Sequence, residues 1–194
     1  MKQIFKKFSS NHKGFSFAET IISVFIFTVG LLAAIQLISS GLEQSINSKN
    51  QIIAGELAQE GVELIRNIRD NNWASGDPNG TFDYLPNNSS SNSSSSTTQY
   101  NNCNIYYNYT YETGGQINCN APQQLYLDGG FYDGNASGTK TKFMRKIDLR
   151  YPDPNDLVVT SEVSWSGSMP ATCSVANKCV SVQVTLTTWG GNGN

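Results

Sequence analysis

Apolar residues follow three successive patterns along this chain, and each pattern predicts a different element. From Phe15 to Ser39 the chain is predominantly apolar. One carboxylate, Glu19, sits just inside the run, and no charge occurs between Ile21 and Ile38. As a helix, that uncharged stretch covers roughly 27 Å at about 1.5 Å per residue, enough to cross most of a bilayer's hydrocarbon core. In the second pattern the apolar positions narrow to a stripe. Leu42, Ile46, Ile53, Leu57, Leu64 and Ile68 recur at spacings of 4 and 7, which places them along one side of a helix. Glu56, Glu60, Glu63, Arg66 and Arg69 fall on the other sides, with Glu63 and Arg66 spaced to pair. The two patterns join into one helix from about Phe15 to about Asn71. Gly41, Gly55 and Gly61 each weaken it by up to about 1 kcal/mol relative to alanine, so packing of the stripe must offset them.

The third pattern has period two. Phe143, Ile147, Leu149 and Tyr151 share one face of a strand, and Met144, Lys146, Asp148 and Arg150 share the other. Leu157, Val159, Val163 and Trp165 form a second such face. In a third strand, Val180, Val182, Val184 and Leu186 alternate with Ser181, Gln183, Thr185 and Thr187. Alternation of this kind marks an antiparallel sheet with one covered face, and the short connections suit a meander. The fold class expected is α+β. A long N-terminal helix, transmembrane in its first half, lays its C-terminal half on an antiparallel β-sheet head.

Between helix and strands, residues 73–142 read as a variable loop region. Turn residues Gly76, Pro78 and Gly80 are followed by the Asn/Ser-rich tract 87–98, which cannot bury a core and reads as a mobile loop. Tyr100 to Asn120 is tyrosine-rich, with Tyr106, Tyr107, Tyr109 and Tyr111 ahead of Gly114-Gly115, and reads as a short hairpin. Exposed, those rings would make an aromatic platform for sugars or bases; in a strand they are half-buried surface. Asn79, Asn88, Asn92, Asn108 and Asn135 each begin an Asn-x-Ser/Thr triplet, a pattern that chance supplies in an Asn/Ser-rich chain.

Charge divides the chain. Residues 1–14 hold Lys2, Lys6, Lys7 and Lys13 and no acid. The rest carries nine basic and fifteen acidic residues, a net of −6. Lysines beside an apolar helix stay cytoplasmic, so everything after Ser39 is expected to be exported. An acidic exported part argues against nonspecific nucleic-acid binding, and no specific nucleic-acid partner is expected. All four cysteines, Cys103, Cys119, Cys173 and Cys179, lie in that part, where disulfides persist. Of the three pairings, closeness favours Cys103–Cys119 and Cys173–Cys179. A zinc site lacks a CxxC pair and any histidine beyond His12.

Gly14-Phe15-Ser16-Phe17-Ala18-Glu19, behind the basic leader and ahead of the apolar run, resembles the cleavage site of type IV prepilins. Val29-Gly30-Leu31-Leu32 is similar to the helix of V-type minor pilins. The resemblance implies that a prepilin peptidase removes residues 1–14 by cutting after Gly14, that Phe15 becomes the N-methylated terminus, and that Glu19 steers assembly. Residues 15–39 would be the transmembrane and filament-core half of the helix, 40–72 its amphipathic half, and 143–194 the sheet. Ser16, Phe17 and Ala18 replace the commoner Thr, Leu and Ile, and the helix-breaking proline that many major pilins carry near Gln36 is absent. A secretory signal differs, since its apolar core is shorter and precedes the cut.

No catalytic constellation appears. Residues 15–194 contain no histidine, no nucleophile has a visible base, and no phosphate-binding glycine motif follows a strand. No cofactor and no enzyme activity are expected. Two acidic loops, Asp128 with Asp133, and Asp153 with Asn155 and Asp156, carry calcium-type oxygens but do not match an EF-hand; the same residues are ordinary turn formers. The function implied is that of a structural subunit of a type IV pilus-like filament, a minor pilin. The alternatives are a pseudopilin of a secretion or DNA-uptake machine, or a pilus adhesin. Its partners would be other pilins through helix packing, the peptidase, an inner-membrane assembly platform, and lipid before assembly.

Overall fold

The computed structural model describes residues 14, 16–75, 82, 85, 98–105, 117, 119, 121–134, 136–153 and 155–188. Phe15, the tract 87–97 and the tyrosines from Tyr106 to Tyr111 lie outside them. The chain divides into two compact units, Met1–Ile46 and Asn47–Asn194. Helix α1, Phe17–Ser75, is 59 residues long and belongs to both. It starts where the Ser16 carbonyl accepts from the Glu19 and Thr20 amides at 2.9 and 3.2 Å.

In the first unit every described residue of α1 up to Gln44 is exposed, including Phe17, Phe25, Phe27, Leu37 and Ile38. Three hydroxyls among them are satisfied within the helix. Thr20, Ser23 and Thr28 donate to the carbonyls of Phe17, Glu19 and Phe25 at 2.7 to 2.8 Å. A helix with exposed apolar residues on all sides suits a solvent other than water.

In the second unit α1 buries one face against a six-stranded antiparallel sheet. The strands are β1 (Thr98–Cys103), β2 (Gln123–Asp128), β3 (Phe131–Asp133), β4 (Thr139–Asp153), β5 (Asp156–Ser164) and β6 (Cys179–Thr187). Their order is β3-β2-β4-β5-β6, and β1 also pairs with β4. β4 is long enough to take both neighbours on one edge: β2 along residues 139–145 and β1 along 147–151. The sheet therefore draws three strands from the region expected to be loop. Tyr100 pairs with Leu149 of β4, so β1 is a strand of this sheet; most of the hairpin expected from Tyr100 to Asn120 lies outside the described residues. β2 and β3 meet in a two-residue turn. Gly129 and Gly130 have φ of 55° and 92°, the doubly left-handed backbone of a type I′ hairpin, which only glycine adopts freely.

The buried helical face is Asn50, Ala54, Leu57, Ala58, Gly61, Val62, Ile65, Ile68, Arg69 and Asn72. This corrects the expected stripe. Leu57 and Ile68 belong to it, whereas Leu42 and Ile46 are more than half exposed. The 4-7 spacing drifts around a helix of 3.6 residues per turn, and the close-packed stretch is carried by alanine and glycine, which a search for large apolar residues passes over. Gly61 shows why small residues are needed. A Cβ there would stand 2.6 Å from Ser161 Oγ and 3.3 Å from both Arg145 Cδ and Ile147 Cδ1.

Two apolar clusters fill the space between α1 and the sheet. One gathers Ala54, Leu57, Ala58, Leu125, Phe143, Val163 and Trp165. The other gathers Val62, Ile65 and Ile68 with Cys103, Ile105, Ile117, Ile147, Leu149, Leu157, Val159 and Leu186. Polar residues sit among them: Glu60 on α1, Gln123 on β2, Arg145 on β4 and Ser161 on β5.

Candidate functional site

Alternation along β4 puts Arg145 in the same register as Phe143, Ile147 and Leu149, facing the helix, and only 1% of its surface is exposed. Three groups receive its guanidinium. Nη1 donates to Glu60 Oε1 at 3.1 Å and to the Leu57 carbonyl at 3.5 Å, and Nη2 donates to the Ile105 carbonyl at 2.7 Å. One buried cation thus ties together α1, β4 and the segment just after β1. Burial pushes this guanidinium below its usual pKa, while the Glu60 carboxylate, and more distantly Asp133, hold it up against that. The Glu60 side chain is about a third exposed, so its charge keeps contact with water.

The outer face of the sheet has its own ion network. Lys146 Nζ lies 3.1 Å from Asp148 Oδ2 and 2.9 Å from Glu162 Oε2. Partial burial lowers the ammonium's pKa, but the hydrogen bonds to Glu162 and Asp148 outweigh it and leave the pKa raised. Asp148 Oδ1 also accepts the Asn102 amide at 2.9 Å and so holds the bulge of β1, where Asn102 has φ of 58°.

The cysteines form two disulfides, Cys103–Cys119 and Cys173–Cys179, and none is free. Cys103 is fully buried at the end of β1. Cys173–Cys179 closes the connection into β6. There Ser174 caps a 3-10 turn at Val175–Asn177, and Lys178 turns the chain with φ of 55°. Glu162 lies close to this pair, but disulfide sulfurs are not available as thiolate ligands.

Both acidic loops are hairpin turns. Asp128 pairs with Phe131, and Asp133 pairs with Tyr126, so the two acids sit at different levels of the β2–β3 ladder. Asp133 Oδ1 accepts the Gly134 amide at 2.6 Å. Asp153 and Asp156 pair across the β4–β5 turn, and Asp153 Oδ1 accepts the Asn155 amide at 2.8 Å, an Asx turn.

At the other end of the chain, Gly14 and Glu19 are exposed, with Glu19 in the first turn of α1. The helix is long and apolar enough to cross a membrane. Beside β6, Ser48, Gln51, Ile52, Gly55, Glu56 and Gln59 of α1 line an open groove of about 630 Å³ with Val180.

The chain matches no family model, no curated protein and no solved structure.

Residue-type reasoning overlooked Arg145. Its signal was present in the sequence: an arginine at an inward position between Phe143 and Ile147 breaks the apolar alternation. Only a partner on the covering element makes such a residue tolerable, and Glu60, decorating the helix, is that partner.

Proposed function

We infer that this chain is a structural subunit of a type IV pilus-like filament, of the minor-pilin kind, cleaved after Gly14 and assembled through the first half of α1. One observation carries the reading. α1 begins at Phe17, three residues after Gly14, holds one acid, Glu19, in its first turn, and from Ile21 to Ile38 carries no charge and is exposed on every side. Water does not sustain such a surface, so the helix needs lipid or neighbouring helices around it. A bilayer satisfies it before assembly, and like helices satisfy it afterwards.

In a helical stack, the new α-amine of Phe15 and the Glu19 carboxylate would both be buried. Each is costly to bury alone, and pairing lowers that cost. An intersubunit pair from Glu19 to the next copy's terminus would fix axial register. The oxidised head fits an exported location.

Mass spectrometry of the protein from the membrane fraction tests the reading. The N-terminal peptide is expected to start at Phe15 with an added methyl group, and Gly14→Val is expected to leave residues 1–14 attached. A native chain starting anywhere else overturns it.

A further inference from the structure

We propose that the Cys103–Cys119 disulfide controls whether the buried guanidinium of Arg145 is capped, making the helix–sheet joint of the head sensitive to redox state. The two features are linked by one short stretch of chain. Ile105, two residues beyond Cys103, gives its carbonyl to Arg145 Nη2 at 2.7 Å. Ile105 is itself 1% exposed, and Ile117, two residues before Cys119, is also buried in the same cluster. Residues at both ends of the loop between the cysteines are therefore seated in the core, and one of them, Ile105, caps Nη2 of the cation.

The disulfide fastens those ends to each other. With it closed, Cys103 is tied to Cys119 and the Ile105 carbonyl stays in place. With it reduced, Ile105 is held only by its own packing, and its carbonyl gains the freedom to leave. Arg145 Nη2 then loses a charge-assisted bond inside a site that water otherwise cannot reach. Glu60 alone cannot satisfy the guanidinium, because it takes up only Nη1. Formation of the bond is an exchange with an oxidised dithiol carrier. The Cys103 and Cys119 thiols lose two electrons and two protons, and the carrier leaves as its dithiol. In a chain whose head starts in a reducing compartment, this step completes the joint after export. The inference does not depend on the filament reading.

Chemical labelling of the detergent-solubilised full chain tests it. The chain carries Cys173→Ser and Cys179→Ser, so that dithiothreitol has one disulfide to reduce. Phenylglyoxal modification of each arginine is then read by peptide mass spectrometry, with far-UV circular dichroism recorded alongside. Arg145 is expected to be protected in the oxidised chain and at least tenfold more reactive after reduction, with the sheet signal retained. Protection unchanged on reduction overturns the proposal. So does loss of the whole sheet on reduction, because the disulfide would then hold the entire head rather than this site. A second measurement uses Arg145→Met. The fall in melting midpoint on reduction should shrink to less than half its value in the parent chain, and an equal fall in both backgrounds refutes the coupling.

Discussion

Replacing Gly61 by alanine sets two known effects against each other. In an exposed helix interior the change gains about 1 kcal/mol, because alanine loses less backbone freedom on folding. At Gly61 the new methyl would stand 2.6 Å from Ser161 Oγ and 3.3 Å from Arg145 Cδ and Ile147 Cδ1. None of the three neighbours can move freely, since Ser161, Arg145 and Ile147 are all buried. Overpacking of this kind costs roughly 1 to 3 kcal/mol. The steric term wins, and Gly61→Ala is expected to destabilise the head by about 1 kcal/mol, lowering the melting midpoint by roughly 2 to 4 °C.

Gly55 is the control on the same helix. Nothing lies within 4 Å of a Cβ placed there, so Gly55→Ala should stabilise by up to about 1 kcal/mol. Ser161→Ala locates the clash. Its hydroxyl is buried without a hydrogen-bond partner, so its removal alone should cost little, yet it should relieve much of the Gly61→Ala penalty. Thermal unfolding of the detergent-solubilised chain, followed by far-UV circular dichroism, compares the three single variants and the Gly61→Ala/Ser161→Ala double variant with the parent. If Gly61→Ala stabilises as much as Gly55→Ala, the close approach of helix to sheet is not where the structure puts it.

The Glu60–Arg145 pair should respond asymmetrically in urea unfolding. Glu60→Gln strands a buried cation and is expected to cost about 3 kcal/mol, whereas Arg145→Met leaves a carboxylate that reaches water and should cost less; the reverse order would discredit the burial of Arg145. At high pH, Lys146 should contribute to alkaline unfolding. Its folded pKa is raised, so its stabilisation is complete below about pH 10.4 and fades as pH rises through the folded value. Tyr151, raised by desolvation, acts in the same direction, so the readout is the difference between wild type and Lys146→Met, which should narrow as the pH climbs. Glu19→Ala should be cleaved after Gly14 but remain in the membrane when sheared filaments are collected; wild-type amounts in filaments would remove the assembly role.

How far the fold could be read in advance differed by element, for physical reasons. The three strands with strict alternation were legible because each has one face on the core, and period two is then enforced at every position. β1, β2 and β3 were not. They are short, and TQYNNC and QQLYLD hide their burial behind glutamine, asparagine and tyrosine. β1 owes its place to β4, whose 15 residues outlast β2 and leave an edge to be filled. The helix–sheet contact was legible in outline but displaced around the helix, because Ala54, Ala58 and Gly61 signal little hydrophobicity while permitting the closest approach. Arg145 stood out in the alternation but was unreadable for a related reason: a charged residue in an apolar register looks like an exception until its partner on another element is known.

The two halves of α1 obey opposite rules. From Asn50 onward, position relative to the sheet decides burial: Ala54, Leu57, Ala58, Gly61, Val62 and Ile65 are covered, and Glu56, Glu63 and Arg66 are not. Before Ile46 no such relation exists, and bulky residues such as Phe25, Phe27 and Leu37 are more than half exposed. Gly30 and Gly41 have open space where a Cβ would stand, so neither is required by contacts within the chain. A sequence that retains helix-weakening glycines and uncovered aromatics over thirty residues is not explained by the stability of one molecule in water. Its residue choices answer to what surrounds it. Substitutions there should therefore leave the unfolding of the sheet nearly unchanged while altering membrane retention, and substitutions at Gly61 or Arg145 should do the opposite.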